Sequence, residues 1–175
     1  MTQHWSGLPS FNYFDETLPQ HLKACAAAHE ASHAVIGAHF GLTMGEITIT
    51  LHRESEDVSG LVEIEGDEIG NRISDEKLPG WMIGCAAGQV GEAMWWQRYK
   101  HCTFEQGMIN ADAGAATDRA MFVKFGGKHP PITLPQARLM AQALLAPRWA
   151  LVSRYAATLV HDGRMAGRKI QSEGR

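Results

Sequence analysis

Residues 29–33 read His-Glu-Ala-Ser-His, and this HExxH pattern constrains the chain more than any other feature of the sequence. Two histidines four residues apart on a helix lie about 6 Å apart along the axis and roughly 40° apart around it, so both imidazoles can bind one metal ion. Glu30 lies about 100° around the helix from His29, where its carboxylate can accept a proton from a water molecule that the metal activates. The pattern predicts a helix with His29 and His33 as metal ligands and Glu30 as a general base.

The residues around the motif favour that helix. The stretch 22–40 contains no proline and one glycine, Gly37, and its residues at helical spacing form one stripe: Leu22, Cys25, His29, His33, Ile36 and Phe40. Pro19 suits the first turn, and Gly41 is a stop signal after the helix. The alternative is two buried histidines held only by hydrogen bonds, but a glutamate at the catalytic offset argues against it. Cys25 lies on the stripe and is a candidate neighbour of the metal.

Composition predicts one globular domain. The 175 residues are 45% hydrophobic and 20% charged, which suits a single core, and we place the domain at 19–170, after an irregular arm at 1–18 and before a tail at 171–175. The net charge is −3, and Lys and Arg form no basic stripe, so nucleic acid is not an expected partner. Three cysteines without a CxxC pair argue against a disulfide framework and against a cysteine zinc site.

Nothing in the sequence predicts a membrane partner. The first residues lack the basic and apolar regions of a signal peptide, and no apolar run approaches the 18 residues or so that a span needs. We therefore expect a cytoplasmic protein.

The periodicity of apolar residues predicts a mainly α-helical domain with a small antiparallel β-sheet. Polar and apolar residues alternate at 46–51 and 60–65, which predicts two paired strands after the first helix. Further helices are expected at about 79–97, 112–125 and 135–161, the last broken at Pro147. Small residues on one side of the 79–97 helix should let it pack closely against the alanine-rich first helix.

A catalytic zinc site takes three protein ligands, so the two histidines need a partner. His39 follows His29 at the offset of the extended motif HExxHxxGxxH, but Ile36 stands where that motif needs a glycine. Glu92 could bind the metal or orient a ligand histidine. Asp112 could bind the metal or only cap the N-terminus of the next helix. The residues themselves leave this choice open.

Four motifs follow one another: HEASHA at 29–34, the strand at 46–51, a glycine-rich helix ending at Glu92, and Asp112 followed by Ala116 and Thr117. Their order, over roughly residues 20–170, resembles the peptidase domain of FtsH, the ATP-dependent zinc protease. In that family an aspartate before an Ala-Thr pair is the third zinc ligand, so the resemblance implies that Asp112 binds zinc with His29 and His33. The chain departs from the family at Ser32, which replaces a glycine, and at Ala111, which replaces an asparagine.

The sequence has neither a phosphate-binding ATPase loop nor a membrane span, so the resemblance implies a stand-alone zinc metalloendopeptidase domain. Peptides or unfolded polypeptides are the expected substrates, and the strand at 46–51 could offer an edge to which they add. A separate ATPase and a second copy of the chain, forming a homo-oligomer, are further candidate partners. The alternatives are a zinc-binding regulatory or structural protein without turnover and an enzyme that hydrolyses a non-peptide amide. An intact Glu30 disfavours the first, because metal binding does not need it.

Overall fold

A computed structural model of the chain describes residues 18–52, 57–64, 74–127 and 130–173. Most of these residues are helical, and three strands form one sheet, so the predicted class is confirmed. The helices are α1 (Leu18–His39), α2 (Leu78–Tyr99), α3 (Phe104–Asn110), α4 (Ala116–Gly126), α5 (Leu134–Leu145), α6 (Trp149–Asp162) and α7 (Arg168–Glu173). The strands are β1 (Met44–His52), β2 (Asp57–Ile64) and β3 (Arg164–Ala166).

Helix α1 is the central element, in contact with α2, α6, β1 and β2. Its alanines at 27, 28, 31 and 34 are fully buried. Gly91 of α2 faces Ser32 so closely that a Cβ at that position would overlap the serine hydroxyl. The close packing of the two helices, predicted from their small residues, is confirmed.

The end of α1 follows its stop signal. Gly41 has a φ of +74°, and the amide of Leu42 donates to the carbonyl of Gly37 at 3.0 Å. Glycine adopts this left-handed conformation without the steric cost that a Cβ brings. The chain then turns into β1, which brings the sheet back over the helix that carries the HExxH motif.

The sheet has the strand order β2-β1-β3, with both pairs antiparallel. The predicted pairing of the first two strands is confirmed, whereas β3, at 164–166, was not predicted. Strand β1 lies in the middle, so the expectation that it offers an edge to a substrate is wrong. The outer strand beside the HExxH helix is β2, because α1 contacts β2 directly.

The region 104–126 differs from the single helix predicted at 112–125. Thr103 and Gln106 form a capping box, in which each side chain accepts from the other's backbone amide, and α3 begins there. A turn at 111–115 follows, and α4 begins at Ala116. Asp112 therefore lies in the turn and not at the N-cap of a helix.

The C-terminal third matches the helical pattern of the sequence. A second capping box, of Thr133 and Gln136, begins α5, and a short 3-10 turn containing Pro147 separates α5 from α6. Helix α7 runs through the boundary predicted at 170, and Ile170 is fully buried. No helix in the described part of the chain is long and apolar enough to cross a membrane. The predicted arm, except for Leu18, lies outside the described residues.

Candidate metal centre

Three side chains from two helices converge at the HExxH motif. The Nε2 atoms of His29 and His33 lie 3.0 Å and 3.1 Å from the same carboxylate oxygen, Oδ2 of Asp118 in the first turn of α4. One ligand atom from each residue lies within 4.8 Å of the other two. Two imidazole nitrogens and one carboxylate oxygen around one point could hold a metal ion and still leave a position for water or substrate.

Each histidine is oriented through its other ring nitrogen. Nδ1–H of His33 donates to the backbone carbonyl of Gly84 at 2.8 Å, and Nδ1–H of His29 donates to Oε2 of Glu92 at 3.2 Å. Both acceptors belong to α2, so the packing of α2 on α1 fixes the tautomers. This leaves both Nε2 atoms available to a metal, the arrangement typical of metal-binding histidines.

Asp118, not Asp112, completes this group among the described residues. The side chain of Asp112 is 60% exposed, and its Oδ1 accepts from Arg119 Nη1 at 2.7 Å and from Gln89 Nε2 at 3.3 Å. The structure therefore places Asp118, and not Asp112, in the group of described residues that could hold a metal ion. The physical reason is the start of α4, which lies at residue 116 and directs the carboxylate two positions later towards α1.

One sequence signal could have found Asp118. The capping box at Thr103 predicts a separate helix from Phe104, which places Asp112 in the connection between two helices. An aspartate in the first turn of the next helix is then the expected acidic residue, because it complements the helix dipole. The Ala-Thr spacing instead favoured Asp112, which lies six positions before Asp118.

The other residues considered for the site lie outside this group of three. Glu92 orients His29, which is the second of the two roles considered for it. His39 is exposed, and its Nδ1 lies 3.1 Å from Nη2 of Arg148, away from the centre. Cys25 is buried and lines the cleft at the centre without joining the three ligand atoms, and burial raises the pKa of its thiol. It is therefore a neighbour of the site and not one of its candidate ligands.

The charges of the centre stabilise a cation there. Burial disfavours protonation of His29, but hydrogen bonds to Asp118 and Glu92 outweigh it and raise the pKa of His29 to about 10. The pKa of His33 is also raised, because the charge of Asp118 outweighs burial. Conversely, the two imidazolium charges hold the pKa of Asp118 below its usual range despite its burial. A divalent cation that replaces these protons would meet the same compensating carboxylates.

Glu30 is placed beside the centre and not in it. Its side chain is buried under β2, where Gly60 lies so close that a Cβ would overlap the carboxylate. Burial raises the pKa of Glu30, while the charges of His33 and His29 act in the opposite direction. A carboxylate placed beside the metal position can accept a proton and return it.

A cleft of about 600 Å³ opens onto the centre. Residues 58–62 of β2 form one wall, α1 and α2 form the floor, and the turn between α3 and α4 forms another wall. The charged side chains among its described lining residues are the carboxylates of Glu30, Glu92 and Asp118 together with the two histidines. The cleft is therefore acidic around the centre and otherwise mostly apolar.

The backbone of α2 leaves space for the imidazoles at Gly88. A Cβ there would overlap the Nε2 atoms of both His29 and His33. We expect Gly88→Ala to abolish or strongly weaken metal binding, measured with zinc by competition against a chelator. Gly84→Ala is the control on the same helix: its Cβ meets nothing within 4 Å, and the backbone carbonyl that accepts from His33 is unchanged, so binding should be preserved. Normal zinc affinity in Gly88→Ala would contradict this placement of the histidines.

Glu92 should act on the metal through His29. We expect Glu92→Ala to weaken zinc binding by about 10- to 100-fold, because an imidazole without its carboxylate partner is less basic and less well oriented. Glu92→Gln, whose amide oxygen still accepts from Nδ1–H, should weaken it less. Glu76→Ala removes an exposed carboxylate from the turn before α2 and serves as control. Equal zinc affinities in all three variants would show that the hydrogen bond has no role in binding.

No protein-family model matches the chain, and no curated protein matches it in sequence.

Proposed function

We propose that the protein is a zinc-dependent endopeptidase of the FtsH peptidase type. The observation that carries the proposal is the convergence of His29, His33 and Asp118 beside the buried carboxylate of Glu30. Two imidazoles and one carboxylate form the donor set of catalytic zinc sites with an open position. When bound, zinc supplies Lewis acidity, which polarises a carbonyl group and makes water more acidic.

In the proposed mechanism, Glu30 performs the proton transfers. Its carboxylate accepts a proton from the attacking water as the new C–O bond forms, and it delivers that proton to the leaving amine as the C–N bond breaks. The acid and the amine formed account for all atoms of the peptide and the water. Burying a carboxylate without an ion-pair partner costs free energy of folding, and Glu30 is not needed to hold the metal. A metal-binding protein without turnover would have no use for it.

The cleft favours an extended polypeptide. Strand β2 is an outer strand of the sheet and forms a wall of the cleft, with Gly60 next to Glu30. A substrate strand that adds along β2 would bind mainly through backbone hydrogen bonds and would pass close to the general base. This replaces β1 with β2 as the strand that receives the substrate.

The charges of the cleft disfavour a carboxypeptidase. None of the described lining residues is Lys or Arg. A carboxypeptidase needs a cation to pair with the terminal carboxylate of its substrate, and this lining provides none. Delivery of unfolded substrates by a separate ATPase, homo-oligomeric assembly and a cytoplasmic location are extensions of the same proposal.

The test combines metal analysis with digestion. The purified chain loaded with zinc should hold about one zinc ion and should cleave internal bonds in a library of blocked peptides, with cleavage lost on chelation and restored by zinc. If the chain binds zinc but cleaves neither the peptides nor unfolded casein, the proposed peptidase activity is wrong. Hydrolysis of small non-peptide amides in that case would support the alternative enzyme.

A further inference from the structure

Asp112 lies in a hydrogen-bonded network that connects the third ligand to α2. Arg119, the residue after Asp118, donates from Nη1 to the Asp112 carboxylate at 2.7 Å and to the Asp112 carbonyl at 3.0 Å. These bonds connect the turn at 111–115 to the first turn of α4. Ala115, the N-cap residue of α4, makes no side-chain cap bond, and the Arg119–Asp112 pair is one of the side-chain contacts that hold this turn.

Gln89 attaches the same turn to α2. Its side chain is buried, and Nε2 donates to Oδ1 of Asp112 at 3.3 Å and to the carbonyl of Met108 at 3.1 Å. Its Oε1 accepts from Nη2 of Arg138 on α5 at 2.7 Å. Gln89 directly follows Gly88, which lies against the two histidines. The network thus connects the part of α2 beneath the histidines to the turn that precedes Asp118.

We propose that Asp112 is a positioning residue for the metal centre: through Arg119 and Gln89 it holds the 111–115 turn so that Asp118 meets His29 and His33. The inference rests on the proposed metal site but not on peptidase activity. An exposed ion pair adds little to the stability of a whole protein. A merely structural role would therefore slightly lower the melting temperature and leave zinc affinity unchanged, whereas a positioning role changes zinc affinity.

The experiment measures the zinc affinity of the full chain by chelator competition, together with the melting temperature of the metal-free protein. We expect Asp112→Ala and Arg119→Ala each to weaken zinc binding by about tenfold, the lower end of the range for residues that orient a metal ligand. The double variant should weaken zinc binding by less than the product of the two single effects, because the bond between Arg119 and the Asp112 carboxylate is lost in both single variants. Asp112→Asn still accepts both hydrogen bonds and should retain most of the affinity.

Thr133→Ala is the control, since it removes the capping box of α5 at a cost in stability at least as large and does not contact the centre. Its zinc affinity should equal that of the unaltered chain. Zinc affinity in Asp112→Ala equal to that in Thr133→Ala would overturn the proposal. Loss of zinc in Asp112→Ala as complete as in Asp118→Ala, with Arg119→Ala unaffected, would also overturn it, because Asp112 would then be a ligand. Failure of zinc-loaded protein to cleave peptides would overturn the proposed function and leave this inference standing.

Discussion

Glu30→Gln is expected to lower kcat/KM for peptide hydrolysis by at least about 100-fold while the chain still binds zinc. The amide has nearly the shape of the carboxylate and fits in the same space under Gly60, but it cannot accept a proton. Burial raises the pKa of Glu30, which means that the folded state disfavours its charged form. The neutral amide should therefore not lower the melting temperature. The measurements are zinc content, melting temperature and hydrolysis of a fluorogenic peptide.

Glu63→Gln is the matched control, because Glu63 is an exposed glutamate on β2. Its activity should remain within a few-fold of that of the unaltered chain. Full activity in Glu30→Gln would show that another group is the base. Loss of zinc together with activity would instead show that Glu30 holds the metal, contrary to its position outside the three ligand atoms.

Asp118→Ala is expected to weaken zinc binding by more than about 100-fold, beyond the range for residues that only orient a ligand. The reason is the direct approach of its Oδ2 to both Nε2 atoms. Zinc at about 1,000 times its dissociation constant stabilises a folded protein by about 4.1 kcal/mol, and an affinity 100-fold weaker leaves about 1.4 kcal/mol. The rise in melting temperature on adding zinc should therefore be much smaller in the variant.

The comparison with Asp112→Ala decides between the two aspartates. The structure predicts that Asp118→Ala is the more severe variant, whereas the resemblance to the FtsH peptidase domain implied Asp112. The opposite order of zinc affinities would restore Asp112 as the ligand. His29→Ala and His33→Ala should match Asp118→Ala, because each removes one of the three candidate ligand atoms.

The HExxH sequence by itself determined one half of the centre. His29, Glu30 and His33 lie within five residues of one helix, so the helical repeat alone sets which face each side chain occupies. The glycine that ends α1 and the pairing of β1 with β2 were also predictable, because each depends on local propensity or a short connection. The packing of α1 on α2 was predictable for another reason, since small residues on both helices permit a close approach.

Only the tertiary structure decided the other half. Asp118 is separated from His29 and His33 by 89 and 85 positions in the sequence, and Glu92 is separated from His29 by 63, yet these side chains are in contact. Whether a carboxylate reaches the histidines depends on the residue at which α4 begins. A shift in that start rotates every later side chain by about 100° per residue. The turn at 111–115, held by Gln89 and Arg119, sets that start, and the sequence spacing that favoured Asp112 contains no information about those contacts.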